Sequence, residues 1–279
     1  MKNKDYLSTN RKVWDEWADI HIKGSSFYPV EQFKAGKQGW KPNIPDDIGP
    51  VSGKSILHLQ CHFGMDTIMW AGLGARITGV DFSAKAIKQA EALNDELGQN
   101  AEFIRADIYQ LPEILKKQFD IVLTYYGTVM WLPDLPAWAK VVTHFLKPGG
   151  SFYIADAHPF VNMLDVDQKS HKPQFEYPYF SSGNPEKIES ENGTYANPDA
   201  ETVNKVSYQW DHSLGNILNS IIAAGLRIEF LHEFPFSFYN VFYYDDTDIL
   251  VNDSEGWWRF KDDVDRFPLM FSVKAKLPE

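Results

Sequence analysis

Asp81 lies seventeen residues beyond Gly64, and both flank a stretch whose residue types can hold a nucleoside. An acid at the carboxyl end of a strand can accept both hydroxyls of a ribose lying across the strand ends. The loop before it, Gln60-Cys61-His62-Phe63-Gly64, leads into a helix whose first turn offers free backbone N–H groups. Two further residues could act on whatever binds there. His158 follows an apolar run directly, and an imidazole titrates near neutrality, so it can take a proton from a hydroxyl or ammonium group. Tyr126 ends another run and is a competing candidate, as are His21 and His212.

The surrounding elements must bring these groups together. Ile56, Leu57 and Leu59 form a short apolar run suited to a buried parallel strand. Asp66–Leu73 has helical spacing and ends at Gly74, which enters the left-handed conformation without strain. Ile77–Val80 is a second strand, and Ser83 can cap a helix over 84–97. Further strands are expected at 101–105, 119–124, 151–157, 226–234 and 268–276, with helices at 135–146 and 212–224. Ser8 or Thr9 is expected to cap an N-terminal helix running to about His21, whose Trp14, Trp17 and His21 share a face. That face either packs on the body of the domain or covers a pocket. A short helix is expected near 30–35, in a loop carrying Phe27, Tyr28, Phe33 and Trp40, with Pro42, Pro45 and Pro50 leading to the first strand.

This arrangement resembles the class I S-adenosylmethionine-dependent methyltransferases. The resemblance rests on the loop and Asp81, on Asp107-Ile108 after the third strand, on Asp120 opening the fourth, and on Leu146-Lys147-Pro148-Gly149-Gly150 before the fifth. It implies an α/β fold: a doubly wound seven-stranded mixed sheet with a reversed last strand, plus aromatic-rich insertions. It implies S-adenosylmethionine as cofactor and S-adenosylhomocysteine as product. Carried over position by position, it assigns cofactor contacts to His58, Gln60, Cys61, His62 and Gly64 in the loop. It adds Asp81 with Phe82, Asp107 with Ile108, Tyr125, and Trp14 of the N-terminal helix. The family loop usually reads acid-x-Gly-x-Gly-x-Gly, whereas this chain has His58, Gln60, His62 and Gly64 in those places. A nucleotide pyrophosphate needs bare backbone where His62 stands, so the departure argues against an NAD-dependent oxidoreductase. S-adenosylmethionine has no phosphate and tolerates a bulkier loop. A non-catalytic module that binds S-adenosylmethionine is the alternative from another class.

The chain has 279 residues and a net charge of −11, enough for one large α/β domain with insertions. Residues 1–50 read as an N-terminal helix and lid region, and 51–279 as the domain, interrupted at about 159–208 and 236–266. Both interruptions are rich in aromatic residues, which suits lining a pocket. The acidic balance disfavours a broad nucleic-acid footprint, so the expected acceptor is a small molecule. No apolar run is long enough to span a bilayer, and no signal-peptide pattern opens the chain, so a cytoplasmic enzyme with no membrane partner is expected. Cys61 is the only cysteine and cannot form an internal disulfide. His58, Cys61 and His62 invite a metal reading, but no second ligand cluster follows, and none is expected. His144 and His171 read as surface or packing residues, and the Asp245, Asp246, Asp248 run as a solvated loop.

Overall fold

The computed structural model describes residues 2–37, 44–167, 169–180, 183–191, 193–242, 248–262 and 266–279. Trp40, Pro42, Asp245 and Asp246 lie outside them. The chain begins with helices α1 (Lys2–His21), α2 (Val30–Lys34) and α3 (Ile44–Ile48). The alternating core follows: β1 (Ser55–Leu59), α4 (Met65–Gly72), β2 (Arg76–Asp81), α5 (Ala84–Glu96), β3 (Glu102–Arg105), α6 (Leu111–Ile114), β4 (Phe119–Tyr125), α7 (Leu135–Phe145) and β5 (Leu146–Ala157). Two short ribbons come next, β6 (Leu164–Val166) with β7 (Pro173–Phe175), and β8 (Glu186–Glu189) with β9 (Val206–Gln209). The chain then adds α8 (Leu214–Ala223), β10 (Arg227–Phe234), the ribbon β11 (Leu250–Asn252) and β12 (Trp258–Phe260), and β13 (Met270–Lys276).

Seven strands form one sheet in the order β10-β13-β5-β4-β1-β2-β3. All run parallel except β13, which is antiparallel to both β5 and β10. The expected mixed sheet with a reversed last strand is therefore present. Every residue of β1 is buried, as befits a parallel strand covered on both faces. Alternate side chains go to opposite faces. Leu57 and Leu59 join Val122, Trp138, Phe152 and Val273 on one side. Ile56 joins Ile77, Trp70, Leu123 and Tyr153 on the other.

Local chemistry sets the helix ends. The Ser83 hydroxyl accepts the Ala86 N–H at the start of α5, and the Asp134 carboxylate accepts the Ala137 N–H at the start of α7. The N-terminal helix departs from the sequence expectation. It starts at Lys2, so Ser8 and Thr9 sit inside it and cap nothing. Thr9 instead returns its hydroxyl to the Asp5 carbonyl, an i−4 bond that helices tolerate. The Lys147–Gly150 segment is an irregular lead within β5, where the pairing to β4 slips and Gly149 takes φ +73°.

Helix α1 lies across the carboxyl edge of the sheet, held from both sides. Asp15 accepts the Ser83 hydroxyl at 2.7 Å, and Asp19 pairs with Lys85 and accepts from Gln89. Opposite, the Glu16 carboxylate accepts the backbone N–H groups of Val203 and Asn204, and Asn10 exchanges two hydrogen bonds with the backbone of Tyr208.

Candidate functional site

The order β2-β1-β4 places the chain's reversal of direction between β1 and β4, and ligands of such sheets bind beyond the carboxyl strand ends there. A cavity of about 490 Å³ lies at this point. Its floor is the β1–α4 loop, Asp81, Phe82, Asp107 and Ile108; its far wall is Tyr125, Tyr126 and Gly127. Trp14 and Trp17 of α1 cover it, with Tyr195 from the first insertion and Phe238 and Tyr239 from the second.

Asp81 is held for a task. Its Oδ1 accepts the Ser83 N–H and its Oδ2 the His62 N–H, each at 2.9 Å. Each oxygen keeps capacity for one more donor. Burial raises the carboxyl to about 6, although the two backbone N–H groups favour its ionised form. Asp107 accepts the Tyr109 N–H on Oδ1 and also faces the cavity.

The loop explains its own sequence. Gln60, His62 and Gly64 have φ of +57°, +50° and +78°, so all three take the left-handed conformation that favours glycine. Only Gly64 also lacks room. A Cβ there would meet the Phe103 ring at 2.7 Å and the Ala90 methyl at 2.8 Å. The position is closed by helix–strand packing, while Gln60 and His62 border the cavity and can carry side chains at the cost of backbone strain. Gln60 Nε2 donates to the Thr128 carbonyl at 2.9 Å. Cys61 lines the cavity, and burial pushes its thiol up, so it stays protonated.

His58 is fully buried, stacks on Tyr125 at 4.7 Å and shares a hydrogen bond with the Thr67 hydroxyl. Burial lowers it to about 3, so it is neutral, and it lines the cavity. Tyr125 receives the Trp70 indole N–H. Tyr126 takes φ +64° and stacks on Phe238 at 4.3 Å. Asp156 imposes that turn by accepting the backbone N–H groups of Gly127, Thr128 and Val129. Burial raises the Tyr126 phenol, which therefore stays protonated. Among the described residues, Gln60 Oε1, His62 Nδ1 and the Tyr126 hydroxyl are buried without a partner. All three belong to residues that line the cavity. Unpaired buried polar atoms are costly, and a polar ligand would satisfy them.

His158 is the sequence's first candidate for taking a proton from a bound group. It does not border the cavity. Its Nδ1 accepts the Phe160 N–H and its Nε2 lies 3.0 Å from Glu233 Oε1 on β10. Burial lowers its pKa while Glu233 opposes that shift. His212 likewise leaves the cavity and donates to the Leu132 carbonyl at 2.7 Å. An acidic side chain that borders the cavity, and that the pattern missed, is Asp66. It sits in the first turn of α4, where an acid reads as a surface complement to the helix dipole. Burial raises it to about 7. Among the described residues no group of three or more His, Cys, Asp or Glu is placed to hold a metal.

Residues 56–150 match a family model described as a methyltransferase domain. Over that segment the chain is similar to methyltransferase domains. A ubiquinone biosynthesis O-methyltransferase of Bordetella pertussis is 28% identical over 126 residues, which are 45% of this chain and 51% of that protein. The chain thus spans about half the length of the curated relatives it matches. Among solved structures, an S-adenosylmethionine-dependent methyltransferase from Mesorhizobium loti is 21% identical with a TM-score of 0.59, covering 84% of this chain and 96% of that one. The glycopeptide N-methyltransferase MtfA, solved with S-adenosyl-L-methionine, is 14% identical with a TM-score of 0.52, covering 84% and 90%. At these identities the likeness is one of fold. The matched segment contains the loop, Asp81, Asp107, Tyr125 and Tyr126.

Proposed function

We propose that this protein transfers a methyl group from S-adenosylmethionine to a small molecule held in the same cavity, leaving S-adenosylhomocysteine. The observation that carries this is Asp81, fixed by two backbone N–H groups on the floor of the cavity at the sheet's switch point. In this reading Asp81 takes the ribose hydroxyls, Asp107 the adenine amino group, and Ile108 and Phe82 pack on the nucleoside. The relatives named methyltransferases, and MtfA solved with S-adenosylmethionine, support it.

Methyl transfer is an in-line displacement from a sulfonium, and most of the acceleration comes from alignment and exclusion of water. Helix α1 acts as a lid, with Trp14 and Trp17 over the cavity. Aromatic faces such as Tyr126 favour the sulfonium charge. Where the acceptor carries a proton that must leave, Asp66 replaces His158 as the group that takes it, because it borders the cavity with a value near 7. The aromatic lining of the cavity and the net charge of −11 favour a small acceptor over a nucleic acid. No helix among the described residues is long and apolar enough to cross a membrane. A cytoplasmic setting is part of the same reading and rests on the single, unpaired cysteine.

The test uses methyl-labelled S-adenosylmethionine and a metabolite extract. Label should appear in a small product, with one S-adenosylhomocysteine formed per methyl transferred. Tight binding of S-adenosylmethionine with no transfer to any fraction would instead support a sensing module.

A further inference from the structure

His62 stands where the family loop usually has glycine, and its side chain is tied to two distant parts of the chain. Its Nε2 lies 2.9 Å from His21 Nδ1 on α1. The other nitrogen of His21, Nε2, lies 2.9 Å from the Thr194 hydroxyl in the first insertion. The direction of each bond follows from the Thr194 end. That oxygen already accepts two backbone N–H groups, from Ala196 at 3.2 Å and Asn197 at 3.0 Å. A hydroxyl oxygen has two lone pairs, so its proton is what remains for His21. His21 therefore accepts on Nε2. It is 1% exposed, and burial pushes its pKa down to about 3, so it is neutral and its single proton is on Nδ1. It donates that proton to His62 Nε2. Burial keeps His62 neutral too, so its own proton is on Nδ1.

That N–H has no partner among the described residues, although the ring borders the cavity. The same residue donates its backbone N–H to Asp81, which places it beside the carboxylate that would take the ribose. We infer that His62 is a ligand-reading residue: the Thr194–His21–His62 relay fixes its Nδ1–H as a donor for an acceptor oxygen of the bound ligand, on its ribose or its amino-acid end. This rests on the nucleoside reading of the cavity given above. The relay also couples the ligand to the covering elements. His21 belongs to the lid helix and Thr194 to the insertion, so a ligand that engages His62 strengthens the bonds that hold both in place. A glycine at this position would relieve the backbone strain and lose this link, which accounts for a histidine where left-handed geometry favours glycine.

The test has two arms on the full chain. In the first, nitrogen NMR of histidine-labelled, ligand-free protein reads the tautomers. Both His21 and His62 should carry the proton on Nδ1. A proton on Nε2 of either ring overturns the relay. In the second, calorimetry follows S-adenosylhomocysteine and 5′-methylthioadenosine, which lacks the amino-acid end. His62→Gly should weaken S-adenosylhomocysteine by about tenfold, and Thr194→Val by about threefold through loss of the fixed tautomer. A loss shared by both compounds assigns the acceptor to the ribose. A loss confined to S-adenosylhomocysteine assigns it to the carboxylate. Unchanged affinity in His62→Gly, with wild-type protein binding normally, overturns the inference. Wild-type protein that binds neither compound overturns the proposed function instead, and the tautomer arm still decides the relay.

Discussion

The two ends of the same sheet are built on opposite terms. At the amino end, polar groups are paired. Asp120 accepts both the backbone N–H and the hydroxyl of Ser55 and the Lys147 ammonium, at 2.6–2.9 Å. Burial alone would raise the Asp120 carboxyl, but these donors outweigh it and hold it well below the ordinary range. Asp47 collects the Tyr153 and Ser272 hydroxyls nearby. At the carboxyl end, Gln60, His62 and Tyr126 take left-handed backbone, three buried polar atoms lack partners, and two acids are raised by burial. The first end is spent on stability. The second stores strain and unmet hydrogen-bonding capacity, as sites that await a ligand do.

Breaking the loop at its closed position should have the largest effect. Gly64→Ala adds left-handed strain and a clash with Phe103 and Ala90, so it should destabilise by about 2–5 kcal/mol. Denaturant unfolding measures this, and a loss below about 1 kcal/mol would show that the packing there yields.

Asp120→Ala attacks the amino end. It should cost about 1–3 kcal/mol of stability by stranding Ser55 and Lys147, with no change in S-adenosylmethionine affinity. A change in affinity would mean that the two ends are coupled.

Asp66 gives the contrast a pH dependence. Its folded value of about 7 lies above its ordinary 3.8, so the folded state holds the extra proton between them. Stability of the ligand-free protein should therefore fall as pH rises from about 4 to 7. Asp66→Asn should remove on the order of 2 kcal/mol of that fall. Equal slopes in the two proteins would place the burden elsewhere.

The smallest effect is expected at Gln60. Gln60→Gly relieves the left-handed strain but loses the bond to Thr128, so stability should change by less than about 1 kcal/mol. A large loss would remove the distinction drawn between open and closed loop positions.

The sequence made the framework readable because its signals are local. The runs at 55–59 and 76–81, Ser83 as a cap and glycines after helices each follow from neighbours a few residues away. Asp81 was legible for the same reason, since it ends the strand that positions it. The misreadings were non-local. His158 turns to Glu233, a partner distant in sequence that the pairing of β10 and β5 through β13 brings level with it. Asp66 looks like a surface residue until the fold brings Trp14, Tyr195 and Phe238 to the same cavity. Phe238 meets Tyr126 from more than a hundred residues away. The positive φ at Gln60 and His62 carried no glycine to announce it.

The central claim is that the strained edge binds S-adenosylmethionine through Asp81. Calorimetric titration of wild-type and Asp81→Ala proteins tests it most directly. Wild-type protein should bind both S-adenosylmethionine and S-adenosylhomocysteine, and Asp81→Ala should lose about 1.5–3 kcal/mol of affinity for each, the value of charge-assisted hydrogen bonds to the ribose. Equal affinity in the two proteins would contradict the account.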